Sequence, residues 1–253
     1  MSPDGPPATP KLKIPERRKE PAVSESAVPV RSGQRLGQVV LDVLKERLLS
    51  GHYPVGSRIS IEDVKAEFGV SKQPVMDALR RLEAIGIVEI IPQSGCRVAQ
   101  YSMREIRDFF TLFGRFEGEI AAAAAVRRTD EQLAEMDAAW QRVEDLKDLT
   151  DVQARARGYL SRNRDFHRVV HRMSHSRIMA DLSARMWDLS DFFIGTRAVP
   201  HPLSDSLDDR NHDHDVIRTA IRSGNADIAR VAMESHIVST VAIFDSGPDD
   251  GGG

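Results

Sequence analysis

The sequence has little that would tie the chain to an oxidising compartment or to a membrane. Cys96 is its single cysteine, so no internal disulfide can form, and a reducing cytoplasm fits. No apolar run approaches the roughly 20 residues that span a bilayer, and the N-terminus has no hydrophobic signal-peptide core. The net charge of -3 leaves room for nucleic-acid binding only through a local patch. We therefore expect a cytoplasmic protein with no membrane partner.

The 253 residues are enough for two domains, each with its own core. Residues 1–30 are rich in Pro, Ser and charge, which predicts a disordered arm. A domain that mixes helices and strands is predicted over residues 31–101. An all-helical domain follows over residues 102–245, and residues 246–253 form a second disordered tail.

Two histidines fall on the apolar faces of a predicted helical hairpin over residues 213–236. His214 lies ten residues before Gly224 in the turn, and His236 lies twelve after it. At about 1.5 Å of rise per residue, an antiparallel hairpin therefore places both imidazoles at one level. Two facing imidazoles are half of a metal site. Two core histidines bonded to water or backbone are the alternative.

A helix predicted over residues 152–174 supplies further donor groups. Asn163 and His167 are four residues apart, on a face that points toward the interior. Buried polar groups need partners, and the hairpin histidines or a shared ion would provide them. Three imidazoles and one amide oxygen suit Zn²⁺, with Ni, Mn or Fe as other candidates. His171 lies off this face as a spare. The remaining histidines are predicted on the surface or in loops: His175, His201 and His212.

A helix-turn-helix followed by a β-hairpin is predicted in the first domain. A first helix over Gln34–Ser50 leads through a Pro/Gly turn to a short strand. Ser60 then caps a helix that ends at Gly69, and Ser71 caps another that ends after Ile85. IVEII, PQSG and CRVAQ predict a strand, a loop and a strand. The expected core stripe of the first helix is Leu36, Val39, Val40, Val43, Leu44 and Leu48.

The second helix of this unit has one apolar and one polar side. The predicted core side is Val75, Ala78, Leu79, Leu82 and Ile85. The predicted exposed side is Lys72, Gln73, Met76, Asp77 and Arg80. Exposed Lys, Gln and Arg near a helix N-terminus suit contacts with major-groove edges and phosphates. A solvated helix beside an ordinary hairpin is the alternative.

Residues 34–101 resemble the winged helix-turn-helix of GntR-type bacterial transcription regulators. The matching pieces are GHYPVGSRIS, FGVSKQPVMDALRRLEAIGIVEI and IPQSGCRV. The family usually has Arg where Lys72 and Met76 stand. Lysine lacks the bidentate fork of arginine, so we expect an uncommon operator and adenine readout by Gln73. The resemblance implies DNA contacts from Ser71, Lys72, Gln73, Met76, Arg80, Gln93, Ser94, Gly95 and Arg97.

Residues 103–244 resemble the FCD domain, the all-helical ligand domain of the FadR branch of GntR regulators, in its six-helix, VanR-like form. The matching pieces are RFEGEIAAAAA, NRDFH and the hairpin over residues 213–237. Many members have Asp where Asn163 stands, and an amide oxygen is a weaker ligand. The resemblance implies that the metal ligands are Asn163, His167, His214 and His236.

The same resemblance implies a small carboxylate effector at the metal, contacted by Arg115 and, as a weaker candidate, by Arg185. From the residues alone, an ion pair between Arg115 and Glu119 on the surface is equally open. An effector changes DNA binding only if it prefers one of two conformations of the protein.

The favoured interpretation is a mainly α protein, with an N-terminal winged helix-turn-helix and a C-terminal all-α antiparallel helical bundle. We expect it to act as a homodimeric transcription regulator, by family habit a repressor, on a palindromic DNA operator. One alternative is a metal-dependent, hydrolase-like enzyme, although no carboxylate is placed as an obvious general base. The other is an architectural DNA binder whose helical domain is purely structural.

Overall fold

The computed structural model describes residues 32–92, 95–196 and 207–245. The predicted arm over 1–30 and the tail over 246–253 lie outside the described residues, as do Gln93, Ser94 and His201. No helix in the described ranges is both long and apolar enough to cross a membrane. In chain order the elements are α1 (Ser32–Leu49), β1 (Arg58–Ile59), α2 (Ile61–Phe68), α3 (Lys72–Ile85), β2 (Val88–Ile91), β3 (Gly95–Val98), α4 (Met103–Arg127), α5 (Asp130–Glu144), a 3-10 turn (Asp145–Asp148), α6 (Val152–Met173), α7 (Arg177–Gly195), α8 (Leu207–Arg222), α9 (Ala226–Val238), a 3-10 turn (Ser239–Val241) and α10 (Ala242–Asp245).

The first six elements form the winged helix-turn-helix, which we call the head (residues 32–101). Its three strands pair antiparallel in the order β1-β3-β2, with Ile59 and Ile90 both opposite Cys96. The Asp63 backbone N–H donates to the Ser60 hydroxyl at 3.1 Å, and Gly69 ends α2 in a left-handed conformation. These features confirm the predicted fold. Ser71 occupies the N-cap of α3, but its side chain makes no capping bond.

Two predicted core stripes differ from the structure. In α1, Leu36 and Val39 are about half exposed, whereas Leu41 is buried, because α1 packs against both α3 and α7. In α4, the apolar spacing predicts a core stripe of Phe109, Leu112, Phe113, Phe116 and Ile120. In the structure, Leu112 is 63% exposed and Phe110 is buried instead. The buried face of α4 is rotated relative to the predicted stripe because α9 packs against the glycines of α4. A pattern of apolar residues takes no account of glycines. The α4 stripe remains partly right: Phe113 and Ile120 are buried, and Phe109 and Phe116 are half-buried.

Residues 102–245 form the helical bundle. The sequence patterns Ser102-x-x-Glu105 and Thr129-x-x-Gln132 predict capping boxes, and both are present at the starts of α4 and α5. The α8–α9 hairpin turns at Gly224, whose φ of 74° is the left-handed region that favours glycine. The helix α8 begins at Leu207, six residues before the predicted hairpin. The all-α antiparallel bundle is therefore confirmed.

The head packs directly on the bundle through α1 and α7. The Lys45 ammonium forms an ion pair with Asp188, and the Tyr101 ring lies edge-on against Phe193 with the ring centroids 5.2 Å apart. At Gly195, an added Cβ would lie only 1.7 Å from the Leu49 carbonyl oxygen. The two backbones therefore meet at a point where only glycine fits.

Candidate functional site

Three imidazoles from separate helices meet in the centre of the bundle. His167 comes from α6, His214 from α8 and His236 from α9, and each is at most 1% exposed. One ring nitrogen of each lies within 4.8 Å of the other two. The Nε2 atoms of His214 and His236 are 3.1 Å apart, so the hairpin does place its two histidines at one level.

Half of the six ring nitrogens have no hydrogen-bond partner among the described residues. Both nitrogens of His167 and Nδ1 of His214 are buried without a hydrogen bond. His236 differs, because its Nδ1 lies 3.1 Å from the Asp213 carboxylate. A proton on Nδ1 directed at that carboxylate leaves the Nε2 lone pair facing His214. Orphaned nitrogens in a dry interior are costly, so this cluster needs a further partner.

The protonation state of the cluster suits metal coordination. Burial, above all, holds the pKa of His167, of His214 and of His236 well below the usual value. Neutral imidazoles present lone pairs without competition from a proton. Two nitrogens on one ion at about 2.0–2.1 Å lie roughly 3–3.4 Å apart, and the 3.1 Å between the hairpin nitrogens falls in that range.

Asn163 lies one turn before His167 and is also buried, at 5% exposure. Its side-chain oxygen accepts a hydrogen bond from the Tyr159 hydroxyl at 3.3 Å. An amide oxygen has two lone pairs, so one remains for another partner. The structure thus places all four residues of the predicted ligand set in the interior.

Two buried charged residues beside the cluster were missed by the sequence analysis. Glu117 of α4 lies 2.9 Å from His171 Nε2 and 4.0 Å from His167 Nδ1. Arg210 of α8 donates to the His236 carbonyl at 3.0 Å and to Thr240 Oγ1 at 3.0 Å. Glu117 interrupts an apolar helix face, and Arg210 lies one turn before His214. Both residues therefore lie on inward faces, but the partners that satisfy their charges are far along the chain.

The spare histidine, His171, is engaged by Glu117 and by the Ser183 hydroxyl. Both partners approach the same nitrogen, Nε2. A nucleophilic Ser-His-acid triad needs the serine and the acid on opposite ring nitrogens, so this trio does not have that geometry. It is a hydrogen-bonded part of the core. His175 and His212 are exposed, as predicted.

The two arginines predicted to bind an effector lie outside the cluster. The Arg115 side chain is 69% exposed and its Nε is 3.7 Å from Glu234 of α9. The expected partner of Arg115, Glu119, pairs with Arg230 instead. Arg185 is exposed on α7. Helix spacing could not show that α9 would present charges along the outer side of α4.

The recognition helix α3 presents the predicted polar face. Lys72, Gln73 and Arg80 are exposed, whereas Met76 is half-buried against the core. The Gln73 amide donates to Asp77 at 2.8 Å and Arg80 donates to it at 3.1 Å. Asp77 therefore holds both side chains when no DNA is present.

The described part of the wing carries two predicted DNA contacts. Arg97 is exposed and pairs with Glu89 of the neighbouring strand at 2.6 Å. Gly95 has a φ of 104°, which turns the chain back into β3. Gln93 and Ser94, the other two predicted contacts in this segment, lie outside the described residues.

The chain is similar to known bacterial regulators over most of its length. It is 23% identical over 200 residues to a probable D-xylose utilization operon transcriptional repressor of Paenarthrobacter nicotinovorans, covering 79% of this chain and 84% of the relative. It is 27% identical over 225 residues to the Uxu operon regulator of Haemophilus influenzae, covering 82% and 79%. The solved structure of McbR/YncC from Escherichia coli has the same fold, with a TM-score of 0.67 at 18% identity, over 83% of this chain and 97% of that one.

Two family models match, one in each domain. The model described as bacterial regulatory proteins, gntR family, matches residues 36–98, which are the head. The FCD domain model matches residues 108–239, more than half of the chain, and covers the histidine cluster. The chain therefore belongs to the GntR family of bacterial transcription regulators, with a DNA-binding winged helix-turn-helix followed by an FCD domain.

Proposed function

We propose that this regulator is a homodimeric repressor whose affinity for a palindromic operator is set by a small carboxylate effector bound at a metal-containing site. The observation that carries the proposal is the set of three buried, neutral imidazoles, in which both nitrogens of His167 and one of His214 have no hydrogen-bond partner among the described residues. The relative in P. nicotinovorans is named as a probable repressor of a sugar-utilization operon. That name supports repression as the mode of action.

The proposed ion is divalent, with Zn²⁺ favoured and Ni, Mn or Fe as other candidates. His167, His214 and His236 would hold it, with Asn163 as the fourth protein ligand. The bound ion supplies a Lewis-acid position for a carboxylate oxygen. Asp213 fixes the tautomer of His236, which is the usual task of a carboxylate behind a metal-binding imidazole.

Arg210 takes the role that the sequence analysis gave to Arg115 and Arg185. It is 8% exposed, touches the His236 carbonyl and has an Nε without a partner in the described residues. A buried guanidinium next to the ion would pair with the free carboxylate oxygen of an effector. Arg115 and Arg185 face solvent and are left out of the proposed site.

The proposed dimer uses the outer surface shared by α4 and α9. These helices pack side by side, with Gly118 so close to Arg230 that an added Cβ would lie 2.9 Å from its carbonyl oxygen. Four large apolar side chains on these two helices are more than half exposed. A second copy of the chain would cover them. They are Leu112, Val126, Ile228 and Val231.

The decisive experiment is the metal content of the purified protein after saturation and gel filtration. Wild type should retain about one ion per chain, and His214→Ala and His236→Ala should retain none. His212→Ala is the matched control, because His212 sits on the same helix α8 and is exposed. Equal metal content in all four proteins would overturn the proposed site.

Effector control is tested with operator DNA in the metal-loaded protein. A panel of small carboxylates should contain one that stabilises the protein and weakens operator binding. Arg80→Ala should weaken operator binding and reduce its salt dependence. Operator affinity that does not change when the metal is removed, together with no binding of any acid, would mean that the helical domain is purely structural.

A further inference from the structure

A second polar cleft lies between α6 and α7, and its Trp187 separates it from His167 of the histidine cluster, with ring centroids 4.5 Å apart. Its volume is about 430 Å³, within the range of small-molecule sites. Arg164, Arg168 and Arg172 recur every fourth residue along α6, so their side chains line the cleft together. Lys45 of the head also lines it. The cleft therefore joins both domains.

The cleft has more positive than negative side chains. Among the described residues that line the cleft, one is a carboxylate, Asp188, and four carry a positive charge: Lys45, Arg164, Arg168 and Arg172. Arg168 and Arg172 are each more than half exposed. Of their carboxylate partners, Glu135 is exposed and Asp165 is half-buried. Ion pairs of this kind contribute little to stability, so both guanidinium groups can turn to a ligand at small cost.

The other side of the cleft is apolar. Ala180, Ala184 and Trp187 of α7 line it, and the Trp187 indole is 6% exposed. The indole N–H has no hydrogen-bond partner in the described residues. A ligand with a short hydrocarbon body and oxygen acceptors would match both sides.

We propose that this cleft binds a small organic anion with at least two negative charges, held by Arg164, Arg168 and Arg172 and contacted by Lys45. Guanidinium forks match both carboxylate and phosphate oxygens, so the shared requirement is a multivalent oxyanion. The site needs no metal ion. None of the three clustered histidines, His167, His214 and His236, lines this cleft.

Binding in the cleft is linked to the position of the head. Asp188 currently pairs with both Lys45 and Arg164, so one carboxylate joins α1 to α6 and α7. A multivalent anion competes with Asp188 for those two cations. Because Lys45 belongs to the head, the anion changes how α1 is held, and operator affinity changes with it by reciprocal linkage.

The test uses full-length protein freed of metal, at constant ionic strength. Citrate, succinate and glucose 6-phosphate are the multivalent probes, and acetate is the monovalent control. Binding is read by calorimetry and by Trp187 fluorescence in a Trp140→Phe background, since the chain has two tryptophans. At least one multivalent probe should bind with a submillimolar dissociation constant, whereas acetate should not. The ranking of citrate against glucose 6-phosphate identifies the preferred oxyanion.

The matched variants locate the site. The double variant Arg168→Ala/Arg172→Ala should weaken binding of the probe at least tenfold. The control double variant Arg157→Ala/Arg177→Ala removes two exposed arginines outside the cleft and should bind the probe as wild type does. His214→Ala should bind the probe as wild type does, which separates this inference from the proposed metal site. The proposal is overturned if no multivalent probe binds, or if the Arg168→Ala/Arg172→Ala protein binds a multivalent probe as tightly as wild type does.

Discussion

The contact between Gly195 and Leu49 gives a sharp test of how the head is seated on the bundle. A Cβ at position 195 would lie 1.7 Å from the Leu49 carbonyl oxygen, and a carbon–oxygen contact needs about 3.3 Å. Gly195→Ala therefore forces the end of α7 and the end of α1 apart by about 1.6 Å. Both atoms are tied to backbone, so no rotamer change relieves the clash.

Overpacking of this kind destabilises a protein by about 1–3 kcal/mol. The higher helix propensity of alanine relative to glycine offsets up to about 1 kcal/mol of that loss. We expect Gly195→Ala to lower the free energy of unfolding by about 1–2 kcal/mol in urea titrations. Proteolysis between head and bundle should become faster, and operator affinity should change. Metal content should stay the same, because the histidines are on other helices.

Gly158→Ala is the matched control on α6. An added Cβ there would meet only the Leu146 side chain, with Cδ2 at 2.7 Å, and that side chain can rotate away. Its stability should equal or slightly exceed that of wild type. If Gly195→Ala is as stable as wild type, or if Gly158→Ala loses as much, the reasoning about a glycine-only contact is wrong.

Three further predictions concern the two proposed functional surfaces. Asp213→Asn should lower metal affinity about 10–100-fold in competition with a chelator, whereas Asp209→Asn, exposed on the same helix, should not. Removing an ion present at a hundred times its dissociation constant costs about 2.7 kcal/mol, so a chelator should lower Tm by roughly 5–10 °C; an unchanged Tm would argue against a resident ion. Asp77→Ala releases Gln73 and Arg80 and removes a negative charge from the DNA face, so unrelated DNA should bind several-fold more tightly at low salt. Equal binding by wild type and Asp77→Ala would show that Asp77 does not restrain that face.

Features set by neighbouring residues were predictable from the sequence. The capping boxes at Ser102 and Thr129 and the turn at Gly224 depend on contacts within a few positions, and all three are present. The level placement of His214 and His236 followed from counting residues to the turn. For the third imidazole, His167, the position on one face of α6 predicted only that the side chain points toward the interior.

Features set by packing between distant elements were not predictable. The rotation of α4 depends on Gly114 and Gly118, where an added Cβ would meet α9 at 2.8 Å and 2.9 Å. Glu117 and Arg210 are buried because partners far along the chain satisfy them, and an isolated charge predicts exposure. The ion-pair partner of Arg115 was not predictable either, since Glu234 belongs to a different helix.

The α8–α9 hairpin has a consequence for the order in which the histidine cluster assembles. Two of its donors are joined by one short turn, so they meet as soon as the hairpin closes, which is a microsecond-scale local event. The third donor arrives only when α6 docks, which requires closing a long loop of chain. An ion captured early by the hairpin would therefore favour docking of α6, and cellular metal supply would influence the folding yield of this regulator as well as its activity.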